Sequence, residues 1–204
     1  MESLEQTVCI VDDDEAVRDS LAILCRSVGL TTQTYASALA YLEAHDPDRT
    51  GCLVLDVRMP GMSGLQLQKR LEELGSPPPI IFITGHGDVP MAVGAIQRGA
   101  VDFIQKPFRD QDLLDRIQQA LELDVERRRE LHERRELESR LERLTARECE
   151  VLDLVVAGHP NKVVAGKLGL SQRTVEIHRS HVMEKMEVES LAELVRFVTE
   201  LRDS

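Results

Sequence analysis

Long hydrophobic runs and metal-type cysteine spacings are missing from this sequence, and their absence argues against several classes of protein. No apolar run in the 204 residues approaches the roughly 18 residues of a membrane span. Residues 1–7 are polar and acidic, whereas a secretion signal has a basic segment followed by an apolar one. The four cysteines show neither CxxC nor Cys/His ligand spacing. We therefore expect a soluble cytoplasmic protein, without a membrane partner, whose cysteines are small buried hydrophobes. A redox-sensing role is the unsupported alternative.

The chain also lacks the positive charge that is typical of nucleic-acid-binding proteins. Its net charge is −11, with −10 in residues 1–125, +1 in residues 126–143 and −2 in residues 144–204. The acidic first part suits a metal site. Any binding of nucleic acid by the last part must depend on the placement of its few cations and on pairing of two copies.

Chemically functional side chains stand where four short apolar runs end. Such runs predict buried parallel strands, and ligands of open α/β sheets bind at the carboxyl ends of the strands. Several carboxylates at one edge need a cation, and a cluster of oxygens alone suits a hard ion such as Mg²⁺. We therefore predict a magnesium-dependent phosphoacceptor site with a lysine and a hydroxyl beside it. Its residues are Asp12, Asp13, Asp14, Asp56, Thr84 and Lys106.

Helical patterns alternate with these strands over the first 125 residues, which predicts βαβ units around a parallel sheet. A further strand is predicted at Thr31–Tyr35, which brings the total to five strands and five helices. This pattern predicts an α/β fold of the flavodoxin-like type. The predicted helices cover residues 15–28, 37–44, 63–74, 89–98 and the chain from Asp110 onward.

Residues 126–143 contain no Gly or Pro and consist almost entirely of Glu, Arg and Leu, which predicts a helix that continues from the last helix of the α/β domain. Leu131, Leu137, Leu141 and Leu144 form a stripe with imperfect heptad spacing. Two interpretations stay open, namely a short coiled coil and a solvated single helix held by i,i+4 charge pairs.

The C-terminal segment carries start and stop signals for four short helices. Thr145 and Glu148 form a capping box, Gly169 marks a turn, and Ser171 caps the third helix. This order predicts a helix-turn-helix whose third helix enters the DNA major groove. One stripe of that helix faces inward, so we expect His178, a member of it, to be a hydrogen-bonded core residue. The stripe consists of Val175, His178, Val182 and Met186.

Five sequence strings in register resemble a known family. VDDDEAVR, LVLDVRMPGMSG, FITGHGD and AVDFIQKPF resemble the receiver domain of bacterial two-component response regulators, and the segment that begins LTARECEVLD resembles the LuxR/FixJ-type helix-turn-helix output. The resemblance implies a receiver domain over residues 1–124, a helical linker over 125–143 and a DNA-binding domain over 144–204. It also implies a transcriptional regulator and not an enzyme.

The resemblance gives each residue of the predicted phosphoacceptor site a role. Asp56 accepts a phosphoryl group from a sensor histidine kinase and, with Asp13, binds Mg²⁺ directly. Asp12 binds the ion through water, and Arg58 binds it through its backbone carbonyl. Lys106 pairs with the phosphoryl oxygens.

Three further details surround this site. Asp14, which is extra to the usual acidic pair, is expected to cap the helix that begins next to it. The resemblance implies a cis peptide bond between Lys106 and Pro107. Arg58 and His86, each two residues past a site residue, are candidates to tune the lifetime of the phosphoryl group.

Thr84 and Phe103 are the predicted switch. Phosphorylation of Asp56 would draw the Thr84 hydroxyl toward the phosphoryl group, and the Phe103 ring would fill the vacated space. The resemblance implies that Val93, Gln97 and Phe103 form a dimer contact that depends on phosphorylation. Alternatively, Val93 and Phe103 are ordinary core residues.

The resemblance also assigns DNA contacts to the helix-turn-helix. Glu176, Ile177 and Ser180 take base-facing positions, and a carboxylate at Glu176 can accept from a cytosine amino group. The alternative for Glu176 is a solvated helix charge. The predicted fourth helix, residues 190–202, has excess apolar surface that suits pairing on a two-fold DNA site. The resemblance assigns phosphate or nearby contacts to Lys162, Arg173, Thr174, Arg179 and Lys185. His181 is a further candidate for DNA contact, because it lies on the outward face of the third helix.

Together these patterns predict a regulator that dimerises on phosphorylation, binds promoter DNA and recruits RNA polymerase. One alternative is a magnesium-dependent phosphatase of the haloacid dehalogenase kind, but this would need a second carboxylate where Arg58 stands. The other is a phosphoryl sink or adaptor whose last helices bind protein. The sequence leaves open the input signal, the promoter, and whether the receiver masks the DNA-binding domain.

Overall fold

The computed structural model describes residues 6–75, 77–85 and 89–202. The chain divides into two compact units, Met1–Arg128 and Arg129–Ser204. Within the described ranges, no helix is both long and apolar enough to cross a membrane.

The first unit is built on a five-stranded parallel sheet with the order β2-β1-β3-β4-β5. This is the strand order of the predicted flavodoxin-like fold. The strands are β1 (Thr7–Val11), β2 (Thr31–Tyr35), β3 (Gly51–Asp56), β4 (Ile80–Thr84) and β5 (Asp102–Gln105). The helices are α1 (Glu15–Ser27), α2 (Ala38–Glu43), α3 (Gly64–Glu73), α4 (Val89–Gln97) and α5 (Asp110–Glu142).

Strands β1, β3 and β4 are buried along their whole length. Because successive side chains of a strand point to opposite faces, these strands supply two apolar layers. Leu55 and Phe82 belong to the layer on one face of the sheet, and Val54 and Ile81 belong to the layer on the other. This double burial explains why the strands are continuous apolar runs that stop abruptly at polar residues.

Side-chain caps account for where the helices begin. Asp14 accepts the backbone N–H of Ala16, which confirms its predicted capping role. Ser63 and Gln66 form a capping box at the start of α3. The predicted helix ranges included such caps, so they exceed the observed ranges by one residue at several ends. Gly64 lies so close to β3 that a Cβ atom there would be 2.3 Å from the backbone oxygen of Asp56.

Helix α5 is continuous over 33 residues. Its first turns are buried against the sheet, whereas every residue from 129 to 136 is exposed. The leucine stripe predicted for a coiled coil is divided, because Leu141 and Leu144 pack in the core of the second unit. Only Leu131 and Leu137 remain for such a seam. Three i,i+4 pairs, such as Arg129 with Glu133, lie along the described part of this segment, and both interpretations of the linker stay open.

The second unit contains four short helices after α5, and it has two apolar clusters of its own. The capping box of Thr145 and Glu148 is present, Gly169 adopts the left-handed conformation with φ 66°, and Ser171 caps α8. The helix-turn-helix prediction is therefore confirmed. The helices are α6 (Ala146–Val156), α7 (Asn161–Leu168), α8 (Gln172–Lys185) and α9 (Leu191–Arg202).

Candidate functional site

Two buried carboxylates share one ammonium group at the carboxyl edge of the sheet. Asp12 follows β1, and Asp56 is the last residue of β3. The Nζ atom of Lys106 lies 2.8 Å from Oδ2 of Asp12 and 3.2 Å from Oδ1 of Asp56. The structure thus brings together Asp12, Asp56 and Lys106, which the strand ends predict.

Asp12 is held on three sides. Besides the contact with Lys106, its Oδ1 accepts the backbone N–H of Asp14 at 2.9 Å. Its backbone carbonyl accepts Nη1 of Arg18 at 2.7 Å. Sequence reasoning missed Arg18, because a basic residue on the second turn of a helix usually lies in solvent. The carboxylate of Asp12 is therefore oriented by Lys106 and the backbone of Asp14, and Arg18 holds the backbone of Asp12.

The two oxygens of Asp56 have different environments. Oδ2 accepts the backbone N–H of Arg58 at 2.7 Å, and Oδ1 faces Lys106. Burial raises the pKa of Asp56; Lys106 opposes this change, whereas the negative charge of Asp12 adds to it. Burial lowers the pKa of Lys106, but its contacts with Asp12 and Asp56 outweigh burial and leave the pKa raised. Lys106 therefore remains an ammonium group and counteracts the effect of burial on the pKa of Asp56.

The donor atoms of this edge fit a hard divalent cation, because Asp12 and Asp56 contribute only oxygens and converge on one positive centre. Asp13, however, is exposed. Among the residues that the structure describes, no group of three or more His, Cys, Asp or Glu side chains is arranged to hold a metal ion. The role of Asp13 as a direct Mg²⁺ ligand stays a prediction. The role of the Arg58 carbonyl stays a prediction.

The predicted switch residues lie next to the shared lysine. Thr84 ends β4 and is buried, and its backbone oxygen accepts the N–H of Lys106 at 2.8 Å. The peptide bond between Lys106 and Pro107 is cis, as predicted. Phe103 is half-buried, with its ring centroid 6.2 Å from that of Phe82. His86 lies outside the described residues.

The face of α4 that is predicted to form the dimer contact is exposed to solvent. Val93 is 47% exposed, so it is not an ordinary core residue, and Gln97 is also exposed. Ile96, which sequence reasoning did not single out, is 43% exposed on the same helix. Phe103 packs partly against the core cluster of the sheet. The described part of α4 thus presents two apolar side chains to solvent.

The predicted base-reading residues lie on the exposed surface of α8. Ile177 is 49% exposed. Thr174 is half-buried, and its hydroxyl lies 2.8 Å from that of Ser171. The exposed residues of the predicted set are Lys162, Arg173, Glu176, Ile177, Ser180 and His181.

Two cations predicted to contact DNA also have partners inside the domain. Nη1 of Arg179 donates to Oδ1 of Asn161 at 2.6 Å, which joins α8 to the start of α7. Nζ of Lys185 donates to Oε2 of Glu148 at 2.7 Å. Lys185 thus forms an internal ion pair, a role that sequence reasoning did not assign to it.

Glu148 is the centre of this internal network. It is buried, its Oε2 accepts the backbone N–H and the hydroxyl of Thr145 at 2.8 and 3.0 Å, and its Oε1 is 3.6 Å from Nδ1 of His181. The hydrogen bond from Lys185, followed by that from the Thr145 backbone, lowers the pKa of Glu148 to about 2. A carboxylate that caps α6 therefore also fixes the position of α8.

His178 departs from its prediction. The other members of its stripe, such as Val175 and Met186, are buried as expected. The Nδ1 atom of His178 is buried as well, but it has no hydrogen-bond partner in the described part of the chain. His178 faces inward, yet it is not the satisfied core residue that the pattern predicts.

Two protein families match this chain. The family described as response regulator receiver domain matches residues 8–118. The family described as bacterial regulatory proteins, luxR family, matches residues 142–198. The two matches correspond to the sheet domain with its acidic edge and to the domain that contains α6 to α9.

Relatives and solved structures resemble the whole chain. The chain is 48% identical over 204 residues to the response regulator protein TmoT of Ectopseudomonas mendocina, covering all of this chain and 93% of that protein. It is 49% identical over 193 residues to the transcriptional regulatory protein FixJ of Rhizobium meliloti, covering 94% of each. The structure of the response regulator StyR aligns with a TM-score of 0.85 at 47% identity, over 96% of this chain and 99% of that one. Full-length FixJ from B. japonicum aligns with a TM-score of 0.60 at 39% identity, over 99% and 100%.

Proposed function

This chain belongs to the two-component response regulators that join a receiver domain to a LuxR-family DNA-binding domain, and from that premise we propose that Asp56 is its phosphoacceptor. One observation carries the proposal: the Asp56 carboxylate ends a buried strand and shares the ammonium group of Lys106 with Asp12. The phosphoryl donor is a sensor histidine kinase, and the protein acts in the cytoplasm.

The arrangement suits in-line transfer of a phosphoryl group. A carboxylate oxygen of Asp56 attacks phosphorus, the new O–P bond forms, and the bond from phosphorus to the histidine nitrogen of the kinase breaks. The Arg58 N–H orients the carboxylate, and Lys106 is placed to pair with the oxygens of the incoming group. When bound by Asp13, Asp56 and the Arg58 carbonyl, with Asp12 acting through water, Mg²⁺ would neutralise charge on those oxygens.

Phosphorylation would then act through pairing of two copies. The exposed Val93 and Ile96 on α4 offer an apolar contact, and the exposed face of α8 offers the DNA-reading surface. The DNA-binding domain carries −2, so one copy alone should bind DNA weakly. We propose that the dimer binds a pseudo-palindromic promoter and recruits RNA polymerase.

Labelling with a small phosphodonor tests the assignment of Asp56. The protein is incubated with acetyl phosphate and Mg²⁺, and the intact mass is followed with time. Wild-type protein should gain one phosphoryl group, whereas Asp56→Asn should gain none, because an amide is a far poorer nucleophile. Asp19→Asn, which changes an exposed carboxylate on α1, is the matched control and should be labelled like wild type. Full labelling of Asp56→Asn would overturn the assignment.

A further inference from the structure

A buried carboxylate on α5 lies far along the sequence from the phosphoacceptor. Asp124 is fully buried and accepts three hydrogen bonds. They come from the backbone N–H of Gly51 at 2.8 Å, Nη2 of Arg127 at 3.0 Å and Nε of Arg128 at 2.9 Å. Two of these donors lie on the next turn of the same helix. We name Asp124, Arg127 and Arg128 the Asp124 clamp.

The arginines of the clamp also bind backbone carbonyls of the receiver domain. Arg128 donates from Nη2 to the carbonyl of Arg49 and, at 3.4 Å, to that of Pro47. Arg127 donates from Nη1 to the carbonyl of Pro77. These carbonyls lie in the segments that precede β3 and β4. The clamp therefore attaches α5 to the amino-terminal ends of the two strands whose other ends carry Asp56 and Thr84.

The clamp is built for position more than for net stability. The cost of removing its three charges from water offsets most of their attraction, and such clusters add little stability over apolar packing. Nε of Arg127 is buried without a hydrogen-bond partner among the described residues, which adds a further cost. Directional hydrogen bonds define the geometry of the clamp, because each donor must lie at a set distance and angle from its acceptor.

The clamp is also where α5 leaves the receiver domain. The last apolar side chain of α5 in the receiver core is Leu121, three residues before Asp124. After Arg128 the helix is exposed through residue 136. The three clamp residues therefore form the final attachment of the helix before its solvated segment.

We propose that the Asp124 clamp is a positioning device that fixes the linker part of α5 to the receiver domain, so that pairing of two receivers constrains both DNA-binding domains. This inference rests on the proposed function. A constrained pair gains affinity because the second DNA contact is made at high effective concentration, and a loosely attached helix loses part of that gain. The clamp leaves phosphorylation itself unchanged, since none of its residues contacts Asp12, Asp56 or Lys106.

Asp124→Asn tests the proposal in the full chain, because the amide keeps the shape but removes the charge that the two arginines share. Glu133→Gln is the matched control, since it removes the carboxylate of an exposed pair on the same helix. Three quantities are compared with wild type: labelling by acetyl phosphate, dimer formation by sedimentation, and affinity for one duplex with and without phosphodonor. The duplex is selected from a random pool with phosphorylated wild-type protein.

We expect the extent of labelling and of dimer formation of Asp124→Asn to be within about twofold of wild type. The increase in its DNA affinity on phosphorylation should be at least about tenfold smaller than that of wild type. Glu133→Gln should keep the whole gain. If Asp124→Asn is unfolded by circular dichroism, the double variant Arg127→Lys with Arg128→Lys decides, because lysine keeps the charges but lacks the forked donors. If the folded variant keeps the full rise in DNA affinity on phosphorylation, the clamp proposal is wrong but the proposed function stands. If phosphorylation does not raise the DNA affinity of wild type, the proposed function is wrong.

Discussion

Replacing Glu148 by Gln should destabilise the DNA-binding domain by about 2 kcal/mol at neutral pH. The Lys185 ion pair and the Thr145 hydrogen bonds lower the pKa of Glu148 from its ordinary 4.5 to about 2. One pKa unit corresponds to about 1.36 kcal/mol, so this stabilisation is roughly 3 kcal/mol. Because about a third of the Lys185 side chain is in solvent, screening reduces the expected loss to about 2 kcal/mol.

The pH dependence of this loss has a defined sign. The pKa of Glu148 is lower in the folded than in the unfolded state, so its stabilisation is complete above pH 4.5 and is lost as the pH falls toward about 2. Glutamine does not titrate. The difference in free energy of unfolding between wild type and Glu148→Gln should therefore shrink steadily over that window.

Urea unfolding of fragment 129–204, followed by far-UV circular dichroism, measures both effects. Glu150→Gln is the matched control, because Glu150 pairs with Arg147 on the surface of the same helix and should contribute less than about 0.5 kcal/mol. Equal stability of Glu148→Gln and wild type at neutral pH would refute the ion-pair argument. So would a difference that stays constant down to about pH 3.

Other predictions concern the phosphoacceptor site and DNA binding. Lys106→Ala should still allow slow labelling of Asp56 but should abolish phosphorylation-dependent dimers in sedimentation, and a wild-type dimer would refute its role. Removing Mg²⁺ with a chelator should stop labelling by acetyl phosphate without changing the circular dichroism spectrum; unchanged labelling would exclude a metal requirement. Ile177→Ala should cost about 1–3 kcal/mol of binding to a selected duplex and relax base preference at one position, whereas equal loss on all sequences would argue against base contact. Fragment 129–204 should bind that duplex no more than about tenfold (1.4 kcal/mol) tighter than the unphosphorylated full chain, and a larger difference would indicate masking by the receiver.

Much of the fold follows from local patterns in the sequence. Strand β3 is a short apolar run that stops at Asp56, and a parallel strand buried on both faces produces that pattern. The cap at Asp14 and the turn at Gly169 come from residues with strong backbone preferences. These preferences act over a few residues, so they can be read without the structure.

The missed contacts depend on residues that are distant in sequence. Lys185 and Glu148 are 37 positions apart, and no local spacing indicates that the two meet. Asp124 likewise contacts Gly51 across 73 positions. Leu141 continues the leucine stripe of the linker, but the stripe does not show that this residue packs in a different core from the earlier leucines.

Contacts between residues that are distant in sequence also explain why the contacts of the charged residues were predicted only in part. A pattern of Lys and Arg on a helix predicts which side chains are charged. It does not show which of them bind a carboxylate or an amide inside the domain. Arg179 and Lys185 both found such partners inside the domain, whereas Arg173 is exposed on α8. Asp13 lies beside a buried acid, yet it is itself exposed.

If this protein is a phosphorylation-dependent regulator, its affinity for DNA must depend on phosphorylation of Asp56. Wild type and Asp56→Asn are titrated onto the selected duplex at one salt concentration, each with and without acetyl phosphate, since binding to DNA depends strongly on salt. We expect the phosphodonor to raise the affinity of wild type for the duplex by at least about tenfold and to leave that of Asp56→Asn unchanged. Equal affinity of wild type with and without the phosphodonor, at full labelling of Asp56, would contradict it.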